Sequence, residues 1–393
     1  LPAGCPRHGP GRCHSGRDPE PLLSGHAARA SACDRERGEA LTSGFQLSDF
    51  DYDLPEELIA QEPLPERDAS RLLVVRRNGG AFEHRGVRDL PALLEPGDLL
   101  VFNDARVIPA RLRGRKADTG GQVELLLVEA ESTSDGEVWY CLGTASKGFR
   151  AGQQLTFGDG LAAEVVSMSP DGGLRVRLSV QGDALLQALW HRGEIPLPPY
   201  IRHASVPAAT DPHASRYQTI FARRPGASAA PTAGLHFTQR LLDALDQRGL
   251  RRATVTLLVG PGTFLPVRTQ AVADHRMHTE RYEIPPETVT LAEQAKRDGR
   301  RVIPVGTTSL RALEAAAGDG GLRPGPGSTD LFITPGAKFR VADGLMTNFH
   351  LPRSTLLMLV TAMVGLERTL AAYRAAVEER YRFFSYGDAM LIL

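Results

Sequence analysis

Lysine is nearly missing from this chain. Of 46 basic residues among 393, only Lys116, Lys147, Lys296 and Lys338 are lysine. The bias runs from end to end, so it reads as GC-rich coding rather than arginines chosen for phosphate forks. An excess of one charge is missing too, since 46 acidic residues balance the basic ones. Bulk charge therefore announces no nucleic-acid partner, and any such surface must be local. Cysteine is sparse. Cys5, Cys13, Cys33 and Cys141 form no Cys-x-x-Cys pair, which indicates no disulfide framework and fits a reducing cytoplasm. Cys5, His8, Cys13 and His14 could imitate a metal cluster, but their Gly-, Pro- and Arg-rich segment has no periodicity and reads as disorder. The longest apolar run, Leu356 to Leu366, is broken by Thr361 and Gly365. It is shorter than the roughly 20 residues of a membrane span and reads as a buried helix. Residues 1–44 lack the apolar core of a secretory signal. They read as a disordered extension or a wrongly chosen start. Neither a Walker loop nor a strand-following Gly-x-Gly-x-x-Gly is present, which disfavours conventional nucleotide folds.

What is there is a chain long enough for two or three domains. Its 42% hydrophobic and 23% charged residues mark a soluble globular protein. Order begins near Phe45. Residues 47–61 predict a short strand and a helix opened by Pro55. From about 110 to 192, segments such as QVELLLVEA, EVWYCLG and LRVRLSV are short, β-rich and punctuated by Gly and Asp. That pattern predicts a small antiparallel barrel or sandwich. Beyond 193, strands alternate with helices: a helix over 239–248 closed by Gly249, strands at 253–260 and 301–306, and a helix over 287–299. A hairpin-like piece lies at 332–341, and helices follow at 354–364 and 367–381. Such alternation predicts a parallel or mixed sheet. The expected organisation is an α/β domain with a mixed sheet, made of 45–109 and 193–393 and interrupted by an inserted β-domain at 110–192.

Four polar turns end predicted strands: PTAGLHF (231–237), GPGTF (260–264), GTTSLR (306–311) and TNFHLP (347–352). Glycine lets backbone N–H groups approach a ligand, and a helix N-terminus favours an anion. The candidate ligand contacts are therefore Thr232, Gly234, Gly260, Gly262, Thr263, Gly306, Thr307, Thr308 and Asn348. Arg311 is expected as a bidentate clamp. His236 and His350 are candidates for proton transfer. His275 and His278 stand three apart near Glu280, but no His-Glu-x-x-His accompanies them, so a metal site is not expected. Asn103, Asp104 and Arg106 share the FNDAR turn, and Tyr386 and Asp388 share FFSYGDAML. Both groups are equally good turn formers. An aromatic beside a carboxylate also suits a cation. RLRGRK places Arg111, Arg113 and Arg115 on one strand face about 6.6 Å apart, near the interval between phosphates. With Lys116 they form a candidate tRNA-binding stripe, and a plain solvated basic face is the competing reading.

Together these blocks resemble the S-adenosylmethionine:tRNA ribosyltransferase-isomerase family of queuosine biosynthesis. DLPEELIAQ, SRLLVV, PGDLLVFNDARVIPARL, IPLPPYI, RYQTIFA, APTAGLHFT, VGPGTF, HRMHTE, VGTTSLR, TDLFITPG, TNFHLPRSTLLMLV and YRFFSYGDAML occur in order across 47–393. The resemblance implies an α/β domain interrupted by a six-stranded barrel. It also implies a tRNA-modifying enzyme using S-adenosylmethionine as ribosyl donor, acting on 7-aminomethyl-7-deazaguanine in the anticodon, with no separate cofactor. His236, His350, Asp104 and Asp388 are the expected catalytic groups, with His278 among the substrate contacts. A cytoplasmic monomer or weak dimer is expected, with no membrane. One departure stands out: Leu258 occupies a position where the family often carries His. The rival readings are an S-adenosylmethionine-dependent tRNA methyltransferase and a non-catalytic RNA-binding protein.

Overall fold

The computed structural model describes residues 44–393 except 135, 261–266 and 268. Gly262, Thr263 and the cysteine–histidine group of the first segment lie outside the described residues. A nine-stranded mixed sheet runs Gly325–Thr329, Glu280–Ile284, Arg251–Leu257, Leu99–Asn103, Val302–Val305, Leu345–Asn348, Ala389–Ile392, Arg71–Val75 and Glu83–Gly86. The four central strands from Arg251–Leu257 to Leu345–Asn348 are mutually parallel. Leu99–Asn103 is buried at every position, as a strand covered on both faces requires. Ala389–Ile392 runs antiparallel to Leu345–Asn348, and Arg71–Val75 runs parallel to Ala389–Ile392. Their first residues therefore share an edge with the last residues of the central strands.

Arg111–Lys116, Gln122–Thr133, Gly136–Ala145, Gln154–Gly158, Leu161–Met168 and Leu174–Leu178 close into a six-stranded antiparallel barrel. Period-two alternation turns Leu112, Leu155, Phe157, Leu174 and Val176 inward. Closure removes the edges that an open sheet would expose. Helix Gly182–Arg192, unforeseen in the sequence, packs Leu185 and Leu189 on this barrel core. The chain enters and leaves the barrel at one place: Arg111 N–H donates to Glu194 O at 3.3 Å, and Glu194 N–H to Arg111 O at 2.8 Å. Gly193 sits at that junction, where an added Cβ would lie 2.1 Å from the Pro109 carbonyl oxygen. We expect Gly193→Ala to cost about 1–3 kcal/mol by overpacking, read as a lower melting temperature. An unchanged melting temperature would show that the junction yields freely.

Two local expectations differ from the structure. Residues 47–61 hold 3-10 turns at Leu47–Phe50 and Glu56–Leu58 instead of a strand and an α-helix. Residues 332–341 turn at Pro335-Gly336 without pairing as strands. There the Glu314 carboxylate accepts the N–H groups of Arg340, Val341 and Ala342 at 2.8–3.0 Å, and a ladder loses those donors. Helices Thr355–Val364 and Leu366–Glu378 meet at 114°, and Leu357, Met358, Val360 and Tyr373 are core residues. Among the described residues no single helix is long and apolar enough to cross a membrane.

Candidate functional site

The shared edge of the sheet collects most of the singled-out residues. Leu99–Asn103 ends at Asn103, whose amide staples three strand ends. It donates to Leu257 O at 2.9 Å and Thr308 Oγ1 at 3.1 Å, and its oxygen accepts from the N–H groups of Ala105 and Leu257. Its hydrogen bonds are filled, so it positions the edge instead of offering donors to a ligand. Gly306 links strand Val302–Val305 to helix Thr307–Ala316 with φ 95°, a backbone state that favours glycine. Asp104 accepts from Thr256 Oγ1 at 2.6 Å. Burial raises its pKa, partly offset by Thr256 and by Arg224 and Arg223.

Arg311 does not form the expected anion clamp. Its guanidinium donates to Glu280 and, through Nε, to Leu331 O at 3.2 Å. Both side chains of this ion pair are about 95% buried. A buried arginine needs a counter-charge more than a helix N-terminus needs a second donor. Glu280 also accepts the Gly260 N–H at 3.2 Å. His275 and His278 bring no third His, Cys, Asp or Glu into a metal-holding group among the described residues.

The two candidate histidines are separated by the sheet. Met346 packs with Ala233 and Phe237 on one face, while Leu345 packs with Leu357 and Met358 on the other. Side chains alternate along a strand, so Asn348 follows Met346 and Thr347 follows Leu345. His350 bonds Thr347 Oγ1 through Nε2 at 2.9 Å. Its N–H and carbonyl are taken by the hydroxyls of Tyr373 and Tyr52. It is a core group, and burial pushes its pKa down to about 3. Because the folded value lies below the ordinary 6.5, neutral His350 stabilises the fold fully above pH 6.5, and that contribution fades as pH falls towards 3. The loss is about 1.4 kcal/mol per pH unit. His350→Gln should therefore flatten the fall in melting temperature between pH 7 and 4.5, and a parallel fall in both proteins would refute this.

His236 lies in the 3-10 turn Thr232–His236, on the Asn348 face. Its Nδ1 is 2.9 Å from Ser70 Oγ, and Ser70 Oγ reaches Arg67 O at 3.3 Å. Either Nδ1–H or the Ser70 hydroxyl donates, according to the tautomer of the ring. His236 Nε2 and Asn348 Oδ1 are both buried and bond no other group. Burial pushes the His236 pKa down to about 4, with the Asn348 side chain opposing and Arg67 and Arg382 adding to the fall. The ring borders a small cleft with Arg67, Ser70, Arg216, Ser385 and Tyr386. Tyr386 holds His213 Nδ1 at 3.0 Å, and burial raises its pKa. Asp388 accepts the N–H groups of Arg71 and Arg382 at 2.9 and 2.8 Å. It staples its turn to the sheet, and burial raises its pKa.

A second recess lies between barrel and sheet. It encloses about 310 Å³ and is lined by Val128, Glu137, Trp139, Leu258, Gly260 and Glu280 among others. Trp139 Nε1 donates to Glu137 at 2.9 Å. Neither Trp139 nor Glu137 carried a motif; only closure of the barrel brings them to Leu258. Of the remaining candidates, Arg106 is exposed, Thr232 is half-buried, and Gly234 approaches Thr219 closely.

The basic stripe keeps its spacing but not its charge. Arg111 and Arg113 pair with Glu124, and Arg113 also with Glu194. Arg115 is exposed and reaches Gly120 O. Lys116 points the other way, 7% exposed, donating to Gly148 O over the Phe149 ring. Lys116 is thus withdrawn from any tRNA surface, because an even position on this strand faces inward.

A family described as Queuosine biosynthesis protein matches residues 47–392. The S-adenosylmethionine:tRNA ribosyltransferase-isomerase of Anaeromyxobacter dehalogenans (strain 2CP-C) is 58% identical, over 89% of this chain and 99% of its own length. The protein of that name from Acidithiobacillus ferrooxidans is 56% identical, over 88% and 97%. The crystal structure of S-adenosylmethionine tRNA ribosyltransferase from Thermotoga maritima shares 39% identity with a TM-score of 0.51, covering 88% of this chain and all of that one. With a match that spans both the sheet and the barrel, the chain belongs to the queuosine biosynthesis protein family.

Proposed function

We propose that this protein transfers and isomerises the ribosyl part of S-adenosylmethionine onto 7-aminomethyl-7-deazaguanine at the tRNA wobble position. Epoxyqueuosine forms, and adenine and methionine are released. The observation that carries this reading is the family match across both domains, with relatives of that activity aligned over nearly their whole length. S-adenosylmethionine is then a substrate, and the chemistry calls for no redox carrier or metal. The sulfonium acidifies the hydrogens on the adjacent 5′ carbon, and a base removes one. Adenine leaves, the neutral substrate amine attacks the opened sugar, and methionine departs as an oxygen closes the epoxide. His236 is the base in this scheme, since its ring borders the cleft and is neutral near pH 7. The recess of about 310 Å³ between barrel and sheet is at the small end of ligand pockets. The protein acts in the cytoplasm, as a monomer or weak dimer.

The test is incubation with S-adenosylmethionine and tRNA bearing the deazaguanine precursor, followed by mass spectrometry. Free adenine and methionine are expected. S-adenosylhomocysteine would instead identify a methyltransferase, and unchanged S-adenosylmethionine a binding protein.

A further inference from the structure

Among the described residues many arginines pair with a carboxylate. Three around His236 bind backbone carbonyls instead. Arg67 donates to the carbonyls of Leu235 and Ser215 at 3.3 and 2.9 Å. Arg216 donates to the carbonyls of Pro65, at 3.2 Å, and Leu64. Arg382 donates to the carbonyl of Glu62. Among the described residues, none of the three has a carboxylate within 4.0 Å. Arg216 Nε and Arg382 Nη1 are buried without a partner. The nearby acids are occupied: Glu66 holds Arg88 and Arg240, Asp388 holds two backbone N–H groups, and Asp211 holds the His213 N–H. Burial and the Arg216 charge both hold the Arg67 pKa below its ordinary range. Carbonyls fix these guanidinium planes; Arg382 also feels the Asp388 charge, whereas the carbonyls leave Arg67 and Arg216 unneutralised. That arrangement leaves a positive cleft waiting for an anion.

We propose that the cleft formed by Arg67 and Arg216, flanked by Arg382, binds a phosphodiester of the tRNA anticodon loop beside the reacting base. The inference rests on the reading of tRNA as substrate. It moves the polyanion contact from the barrel stripe, where Glu124 and Glu194 cancel charge, to the rim of the His236 site. The half-open cleft has room of about 20 Å³, little more than one water needs. One oxygen of a phosphodiester whose remainder stays outside fits there, and the carboxylate of S-adenosylmethionine is the competing occupant that the experiment separates.

Arg67→Gln and Arg216→Gln test this through adenine release. Each should raise the KM for precursor tRNA about tenfold, the loss of one charge-assisted contact. The KM for S-adenosylmethionine should stay within about twofold. The slope of log tRNA affinity against log salt should fall by about one per arginine, and Arg216→Lys should restore it. A raised KM for S-adenosylmethionine with tRNA unaffected would overturn the proposal in favour of a carboxylate site. A lower melting temperature with an unchanged salt slope would reduce the arginines to loop supports and equally overturn it. Parent protein that releases no adenine from precursor tRNA would instead refute the proposed function.

Discussion

Replacing His236 with glutamine is expected to lower turnover by about 10²–10⁴-fold, the ordinary worth of a positioned base. Three features together mark this residue among the described histidines. Its Nε2 is buried and bonds no group but the Asn348 side chain. Ser70 holds its Nδ1 from behind at 2.9 Å. Burial keeps its pKa at about 4, so it is neutral and able to accept a proton at pH 7. The sign follows directly: the base is the neutral form, so kcat should stay level from pH 8 to about 5 and fall as pH approaches 4. Ser70→Ala frees the ring and should give a smaller loss than the histidine change. Circular dichroism melting separates a lost base from a lost fold. Turnover of His236→Gln within threefold of the parent would remove His236 from the reaction.

Glu280→Gln should cost about 3–5 kcal/mol of stability, because it strands the Arg311 charge inside the protein. The pair links strand Glu280–Ile284 to helix Thr307–Ala316, and both side chains are about 95% buried. Arg311 Nη2 already lacks a partner, so Glu280 carries most of the compensation. The paired change Glu280→Leu with Arg311→Met should recover most of the loss, since both desolvated charges leave together. Urea unfolding of the parent, both single variants and the double variant closes the cycle. A cost below about 1 kcal/mol for Glu280→Gln would mean that the pair is solvated.

Much of the architecture was legible because periodicity is a local property. Alternation in RLRGRK, QLTFG and LRVRL identified barrel strands, and Gly249 and Gly299 marked helix ends at which they lie just beyond Gln247 and Arg297. Short stretches with competing side-chain acceptors were misread, as at 332–341, where Glu314 takes the backbone donors. The site was legible as a set of turns but not as a set of roles. His236 and His350 sit in similar turns, yet one strand's alternation sends them to opposite faces. Arg67 and Arg216 belong to no motif and are 149 positions apart, although both surround one ring.

Sequence alone determined most of the strand and helix order and the inserted β-rich segment, because hydrophobic period and turn chemistry act between near neighbours, while the ordered motif blocks carried the family resemblance. Only the tertiary structure decided which charges are spent and which remain available. Arg311, Arg113 and Lys116 are consumed by partners that folding brings to them, whereas Arg67 and Arg216 keep unmet capacity. Electrostatic balance is settled between groups distant along the chain, and no local pattern encodes it.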